Sequence, residues 1–196
     1  MKKNLQTQLE FLKIADDLKN IFRQTTLIDG SRFENVAEHS WHFALAAMTL
    51  FEHNALDGVS LDRVLKMATV HDLVEVFAGD TPAHDVAANV GKEEREREAA
   101  DKLFAFLPPE QAREFRNLWE EFDEMKTPDA IFAAAVDRFQ SFFLIHQSGT
   151  GSAWKKFNAT AERARTRMLP VKTAMPSLWD WVEDAIQINI EKEFLK

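Results

Sequence analysis

Apolar residues recur at helical spacing along most of this chain, and residues that interrupt helices are scarce. The 196 residues include only six glycines and six prolines. All-β folds need far more turn residues than this. The segment 5–22 illustrates the pattern, because its apolar positions are separated by charged residues at the intervals of an amphipathic helix: Leu9, Leu12, Leu18 and Ile21. We therefore predict an all-α fold.

Turn and capping signals divide the chain into about six or seven helices. Asn35 and Glu38 form a capping-box pair, Ser60 precedes a third helix, and Thr127 precedes a long apolar one. The predicted helical segments are 5–22, 35–51, 61–77, 92–107, a segment around 115–122, 129–146 and 176–194. No repeat and no long linker separates them, so we expect residues 1–196 to form a single domain.

The composition narrows the function classes. Hydrophobic residues make up 45% and charged residues 29%, which favours a packed core over disorder. The net charge of −8 argues against a protein that binds nucleic-acid polymers through a basic surface. No apolar run approaches the roughly 20 residues that span a membrane, and the N-terminus lacks signal-peptide features. We expect a cytoplasmic protein without membrane contact.

The chain has no cysteine. This excludes disulfides, a thiolate zinc site and a cysteine nucleophile. Any metal site must consist of histidine and carboxylate ligands.

Several polar residues fall where a helical fold should bury apolar ones. Asp72 and Glu75 lie on the apolar face of the third predicted helix, and His71 lies at its edge. An ionised carboxylate in a core needs a cation, a hydrogen-bond network or a metal. Asp137 interrupts another apolar helix, and His39 lies in the first turn of the second. A buried ion pair or a helix cap explains any one of them, but their recurrence on three helices favours one shared site.

Together these side chains form a plausible metal centre. Two imidazoles and two carboxylates suit one divalent ion, with Mn, Co, Zn, Ni, Fe and Mg as candidates: His39, His71, Asp72 and Asp137. Such an ion acidifies bound water and polarises a phosphoryl oxygen. Glu75, one turn beyond the His71-Asp72 pair, is then placed to accept a proton from that water without being a ligand.

The same residues carry a resemblance to a known family. His39, the pair His71-Asp72 and Asp137 match the H…HD…D signature of the HD-domain metal-dependent phosphohydrolases, an all-α superfamily. The segments ENVAEHSWHFAL and HDLVEVFAGDTP resemble its 5'-deoxynucleotidase branch, as does the terminal LWDWVEDAIQINIEKEFLK. The resemblance covers most of the chain. It implies a single HD domain, with a motif core at about 35–140 and a C-terminal helix at about 176–194.

The resemblance also implies an activity and a set of substrate contacts. The expected reaction is release of phosphate from nucleoside or deoxynucleoside 5'-monophosphates by attack of metal-activated water. Asp80 and Thr81 would contact the sugar and phosphate, and Arg32 would lie near the phosphate. Members of this branch generally work as dimers, so a homodimer is expected.

The chain departs from the branch at one place. An ungapped match from His39 places Gln24 and Thr25 where members with a 2'-deoxy preference carry an Arg-Trp pair. Arg23 supplies the arginine if the loop differs by one residue, but no tryptophan follows. The preference for ribose or 2'-deoxyribose is therefore open.

Two alternative functions and a second His-Asp dyad also have to be compared with this sequence. A binuclear HD hydrolase or oxygenase needs two further histidines between Asp72 and Asp137, where the chain has only His84. If the protein is instead a non-enzymatic metal-binding regulatory module, Glu75 should be dispensable for its function. The second His-Asp dyad, His84-Asp85, does not match the family's ligand pair and is interpreted as a loop or surface feature.

Overall fold

The computed structural model describes residues 2–196, with side chains from residue 4 onward. Ten α-helices occur in this part of the chain, and all but the fourth and eighth contain ten or more residues. In chain order they are α1 (Lys2–Ala15), α2 (Val36–Leu50), α3 (Leu61–Val70), α4 (Glu75–Ala78), α5 (Lys92–Phe104), α6 (Pro109–Glu124), α7 (Pro128–Ser148), α8 (Ser152–Lys156), α9 (Ala161–Ala174) and α10 (Trp179–Glu191).

The predicted capping residues begin the helices expected of them. The Asn35 side chain accepts a hydrogen bond from the Glu38 backbone N at 2.9 Å, and the Glu38 carboxylate accepts one from the Asn35 N at 3.1 Å. Ser60 caps α3 and Thr127 caps α7, each by accepting one backbone hydrogen bond, from Arg63 N and Ala130 N respectively. The all-α fold class is confirmed.

The first predicted helix ends early, and a small β-hairpin follows it. The α-helix ends at Ala15, a 3-10 turn follows, and strand β1 (Phe22–Thr26) pairs antiparallel with β2 (Phe33–Asn35). Threonines in β1 favour extended backbone, and Gly30 with a φ of 69° closes the connecting turn. Thr25 and Glu34 become buried in this hairpin.

The third predicted helix, 61–77, is interrupted at the HD dyad. α3 ends at Val70, and the next backbone bonds join residues three apart, such as Leu73 N to Val70 O at 3.1 Å and Glu75 N to Asp72 O at 3.0 Å. These turns have about three residues per turn, so side chains at i and i+3 lie one above the other. The interruption thus brings Asp72 and Glu75 to the same side of the chain.

Helix α9 was not predicted from the sequence. Its buried face consists of small or flexible residues, namely Ala161, Ala164, Met168, Val171 and Ala174, and several arginines and Pro170 mask the periodicity. It packs against α7. It accounts for the eighth long helix, where six or seven were expected.

Helix α7 occupies the centre of the molecule. It packs against α2, α3, α6 and α9, and most of its residues are buried. Polar side chains on α7 consequently face the interior and need partners there. Among the helices of residues 2–196, none combines the length and hydropathy needed to cross a membrane.

Candidate metal centre and cleft

The four predicted metal ligands meet at the junction of α2, α7 and the turn after α3. His39 Nε2 lies 3.0 Å from Asp137 Oδ1, and His71 Nε2 lies 3.1 Å from Asp72 Oδ2. The two Nε2 atoms are 3.3 Å apart. Both imidazoles are buried, at 0% and 4% exposure. His39, His71 and Asp72 also converge closely enough to share one ion.

Hydrogen bonds at the far side of each imidazole orient the ring. His39 Nδ1 lies 2.8 Å from Gln140 Oε1, and His71 Nδ1 lies 3.1 Å from the Ala68 carbonyl oxygen. Both partners are acceptors, so each Nδ1 donates to them and each Nε2 is turned toward the carboxylates. Burial opposes the charged form of His71, but Asp72 and Asp137 outweigh it and raise the pKa of His71. The two Nε2 atoms and the carboxylates thus share a position where positive charge is favoured. The donor set therefore fits a divalent metal ion.

Gln140 holds His39 in this orientation. Its Nε2 donates to Glu34 Oε2 at 3.2 Å and lies 3.0 Å from His42 Nδ1, which leaves Oε1 free to accept from His39. Gln140 and Glu34 are almost fully buried. Neither was predicted as a site residue. The available signal was spacing, because Gln140 follows Asp137 by three positions on the same helix face.

Arg23 reaches the metal centre from strand β1. Its guanidinium donates to Asp72 Oδ2 and to Ser141 Oγ, both at 3.1 Å, and its Nε lies 3.4 Å from Glu34 Oε1. Burial opposes the charge, but the carboxylates of Asp72 and Glu34 outweigh it and raise the pKa of Arg23. The structure therefore places Arg23, one residue before Gln24, against the cluster.

Glu75 lies beside the cluster without joining it. Its carboxyl is 6% exposed, and Oε2 has no hydrogen-bond partner among the described residues. Burial, with the negative charges of Asp72 and Asp80, raises the pKa of Glu75 well above that of an ordinary carboxyl. A carboxylate with a raised pKa is a stronger proton acceptor than an ordinary carboxylate.

The predicted substrate contacts separate into two groups. Asp80 and Thr81 line the same cleft as His71, Asp72 and Asp137. Arg32 does not line it, and its place near the phosphate stays a prediction.

The partner of Arg32 explains where it lies. Its guanidinium donates to both Glu38 carboxylate oxygens, at 2.7 and 2.8 Å, and its side chain is 49% exposed. Glu38 and His39 are adjacent on α2 and diverge by about 100°. His39 points inward, so Glu38 holds Arg32 on the outside.

The cleft has a volume of about 260 Å³, with charged residues near the metal centre and an apolar portion that includes Phe142, Ile145 and Trp154. His84 also lines it. His84 lies in a loop, as one part of its interpretation had it, but its side chain is only 9% exposed and is not at the surface. Burial, followed by the charges of Arg167 and Arg163, lowers the pKa of His84 to about 4.

Comparison with known proteins agrees with this arrangement. The 5'-deoxynucleotidase HDDC2 of Dictyostelium discoideum is 31% identical over 141 residues, covering 69% of this chain and 74% of that protein. The human 5'-deoxynucleotidase HDDC2 is 30% identical over 131 residues, covering 66% of this chain and 62% of its own length.

A solved structure is similar over nearly the whole chain. It is the crystal structure of a predicted metal-dependent phosphohydrolase from Magnetospirillum magnetotacticum MS-1, which is 39% identical with a TM-score of 0.91. The similarity covers 98% of this chain and 96% of that one. The family model described as HD domain matches residues 15–179. The fold, the convergent His and Asp side chains and this match together show that the chain belongs to the HD-domain family.

Proposed function

We propose that this protein is a metal-dependent phosphohydrolase that releases phosphate from nucleoside or deoxynucleoside 5'-monophosphates. The main support is the convergence of the His39 and His71 Nε2 atoms with Asp72 and Asp137, with Glu75 Oε2 unpaired next to them. The names of the relatives, 5'-deoxynucleotidase and predicted metal-dependent phosphohydrolase, support the same reaction.

One divalent ion would be held by His39, His71, Asp72 and Asp137. When bound, the ion supplies a Lewis acid that polarises a phosphoryl oxygen and lowers the pKa of water. Gln140 keeps the His39 ring oriented for this role, and Arg23 holds Asp72 in place. Elemental analysis of protein purified without added metal should find one ion per chain. Two tightly bound ions would instead indicate a binuclear enzyme.

Glu75 acts as the base for the attacking water. The water oxygen would form a bond to phosphorus as the P–O5' bond breaks; Glu75 would take one proton from the water, and that proton would then pass to the leaving O5'. The products are a nucleoside and inorganic phosphate. Asp80 and Thr81, which line the cleft, would contact the sugar and the phosphate.

Selectivity for the sugar is proposed to be weak. An ungapped match from His39 puts Gln24 and Thr25 at the position of the Arg-Trp pair, and Arg23 supplies the arginine only if the loop differs by one residue. Gln24 accepts a hydrogen bond from Lys156 at 2.6 Å, and Thr25 is buried. No tryptophan stands at either position.

A phosphate-release panel tests the function. It should contain 5'- and 3'-nucleotides and their deoxy forms, each with Mn, Co, Mg and Zn. We expect release from the 5'-monophosphates, at similar rates for ribose and deoxyribose, and none in the Glu75→Gln variant, whose metal content should equal that of the unmodified protein. Full turnover in Glu75→Gln would remove Glu75 from the mechanism. No release from any nucleotide would favour a regulatory metal-binding module.

We also propose that the protein forms a homodimer through α2. Trp41, Leu45 and Met48 follow one another at intervals of four and three residues and are 66%, 44% and 58% exposed. This places an apolar stripe on the outer face of the helix whose inner face carries His39. Exposed apolar stripes of this kind mark protein interfaces.

A further inference from the structure

Three arginines line the cleft, and they differ in what they contact. Arg23 donates to Asp72 and Ser141, and Arg138 donates to the Arg167 carbonyl oxygen at 3.1 Å and to Met125 Sδ at 3.0 Å. Within the part of the chain that the structure describes, Arg167 takes part in side-chain hydrogen bonds only through its carbonyl oxygen, and its guanidinium lies within 4.0 Å of no carboxylate oxygen. A cation in an enclosed cleft normally has such a partner.

Arg167 nevertheless lies near the metal centre. Burial lowers the pKa of Arg167 to about 10, while attraction to Asp137 and Asp72 opposes that change. The side chain therefore stays protonated at neutral pH, close enough to two candidate metal ligands to be attracted by them but not bonded to either.

Helix α9 directs Arg167 into the cleft. Ala164, Arg167 and Met168 share one helix face, and all three line the cleft. Arg165 projects from a different face and pairs with Glu183 of α10 at 2.8 Å. The small side chain of Ala164 leaves room beside the guanidinium. Arg167 is thus placed by its helix, not by a bond to another side chain.

The neighbouring His84 adds no negative charge that could offset Arg167. It is buried in the same cleft, and the charge of Arg167 contributes to keeping it neutral. Lys92, another cation of the cleft, differs because it pairs with Glu96 at 3.4 Å. The region around Arg167 therefore favours an anionic ligand.

We propose that Arg167 binds the phosphoryl group of the substrate directly, as a two-pronged donor to its oxygens; this rests on the proposed phosphohydrolase function. A phosphate monoester is a dianion at neutral pH, and the planar guanidinium matches two of its oxygens. Arg23 is less suited to the task, because Asp72 and Glu34 already offset its charge.

The test compares Arg167→Gln, Arg167→Lys and the control Arg165→Gln, which changes the same helix away from the cleft. Two quantities are measured on Mn-loaded protein: kcat/KM for a deoxynucleoside 5'-monophosphate, and the dissociation constant of inorganic phosphate by calorimetry. We expect kcat/KM to fall about 100-fold or more in Arg167→Gln. Phosphate binding should weaken at least about tenfold. Arg167→Lys should be intermediate, and Arg165→Gln should match the unmodified protein.

A purely structural role for Arg167 gives a different result. It predicts that Arg167→Gln loses thermal stability in the metal-free protein or fails to fold, and either outcome overturns the proposal. Our proposal predicts unchanged or higher stability, because the variant removes an unpaired charge from the cleft. Unaltered phosphate affinity in Arg167→Gln overturns it as well. If no nucleotide is hydrolysed, the proposed function fails, but the phosphate-binding comparison still tests Arg167.

Discussion

Glu75 is a buried carboxyl that the fold does not satisfy. Replacing it with glutamine removes the ionisable group while keeping the shape, so we expect Glu75→Gln to raise the free energy of unfolding of the metal-free protein by about 1–3 kcal/mol at neutral pH. Urea denaturation at several pH values measures this, with Glu98→Gln on the exposed face of α5 as the control.

The direction in which the pKa of Glu75 is shifted determines how the free energy of unfolding changes with pH. The pKa of Glu75 is raised in the folded state, mainly by burial and then by Asp72 and Asp80. Its ionisation therefore reduces stability as pH rises from the ordinary carboxyl range through the folded-state pKa. The advantage of Glu75→Gln should grow over that interval. If Glu75→Gln were less stable than the unmodified protein at every pH, the Glu75 carboxyl would not be an unsatisfied group in the metal-free protein.

Gln140 connects His39 to Glu34, so its loss should weaken the metal site. We expect Gln140→Leu to lower metal affinity about 10- to 100-fold, because the His39 ring loses the acceptor that orients it. Competition with a chelating dye measures the affinity. Gln147→Leu, at an exposed position of the same helix, is the control. Equal affinities in the two variants would show that Gln140 does not orient His39.

Between α4 and the substrate-contact residues, Gly79 sets the path of the chain. Its backbone has φ 77° and ψ 156°, which residues other than glycine rarely adopt. The space beside its Cα is open. Gly79→Ala should therefore cost about 1–3 kcal/mol of stability through backbone strain alone. It should also reduce kcat/KM, because Asp80 and Thr81 follow directly.

Gly58→Ala is a matched control for that variant. Gly58 has the same φ of 77° and open space, but lies in the loop between α2 and α3. We expect a loss of stability in thermal unfolding of both variants and a loss of activity only in Gly79→Ala. Equal activities would show that Asp80 and Thr81 do not depend on this turn.

The elements differ in how far their sequence determines them. α2, α3 and α7 begin at capping residues whose side chains bond locally, so Asn35, Ser60 and Thr127 predict where those helices begin. The β1–β2 hairpin and the interruption after α3 depend on contacts with distant residues, such as Arg23 with Asp72. Such long-range contacts cannot be predicted from the local hydrophobic periodicity.

The same distinction applies within the site. His39, His71, Asp72 and Asp137 were predictable, because each is polar at a position that should be apolar. Only the family resemblance indicated a role for Arg23, because nothing in a short polar segment distinguishes it from a surface arginine. The pairing of Arg32 with Glu38 could not be predicted for the same reason, since it depends on which way α2 faces.

Assembly of the whole molecule is proposed to depend on the α2 stripe. Trp41→Glu places a charge on this stripe and should convert a dimer to a monomer, measured by light scattering coupled to gel filtration. Leu169→Glu, at a 50% exposed position on α9, should leave the dimer intact. Monomeric unmodified protein, or a dimer that persists in Trp41→Glu, would contradict the proposed interface.

The facing imidazoles have a consequence for the life of the protein in a cell. His39 and His71 are 32 positions apart, and His39 and Gln140 are 101 apart, so an unfolded chain cannot present these donors together. A metal ion therefore stabilises the native state and hardly stabilises the unfolded chain. Fluctuating metal supply should therefore alter how often the chain opens to proteases. Metal occupancy would report both the capacity for catalysis and the completeness of folding.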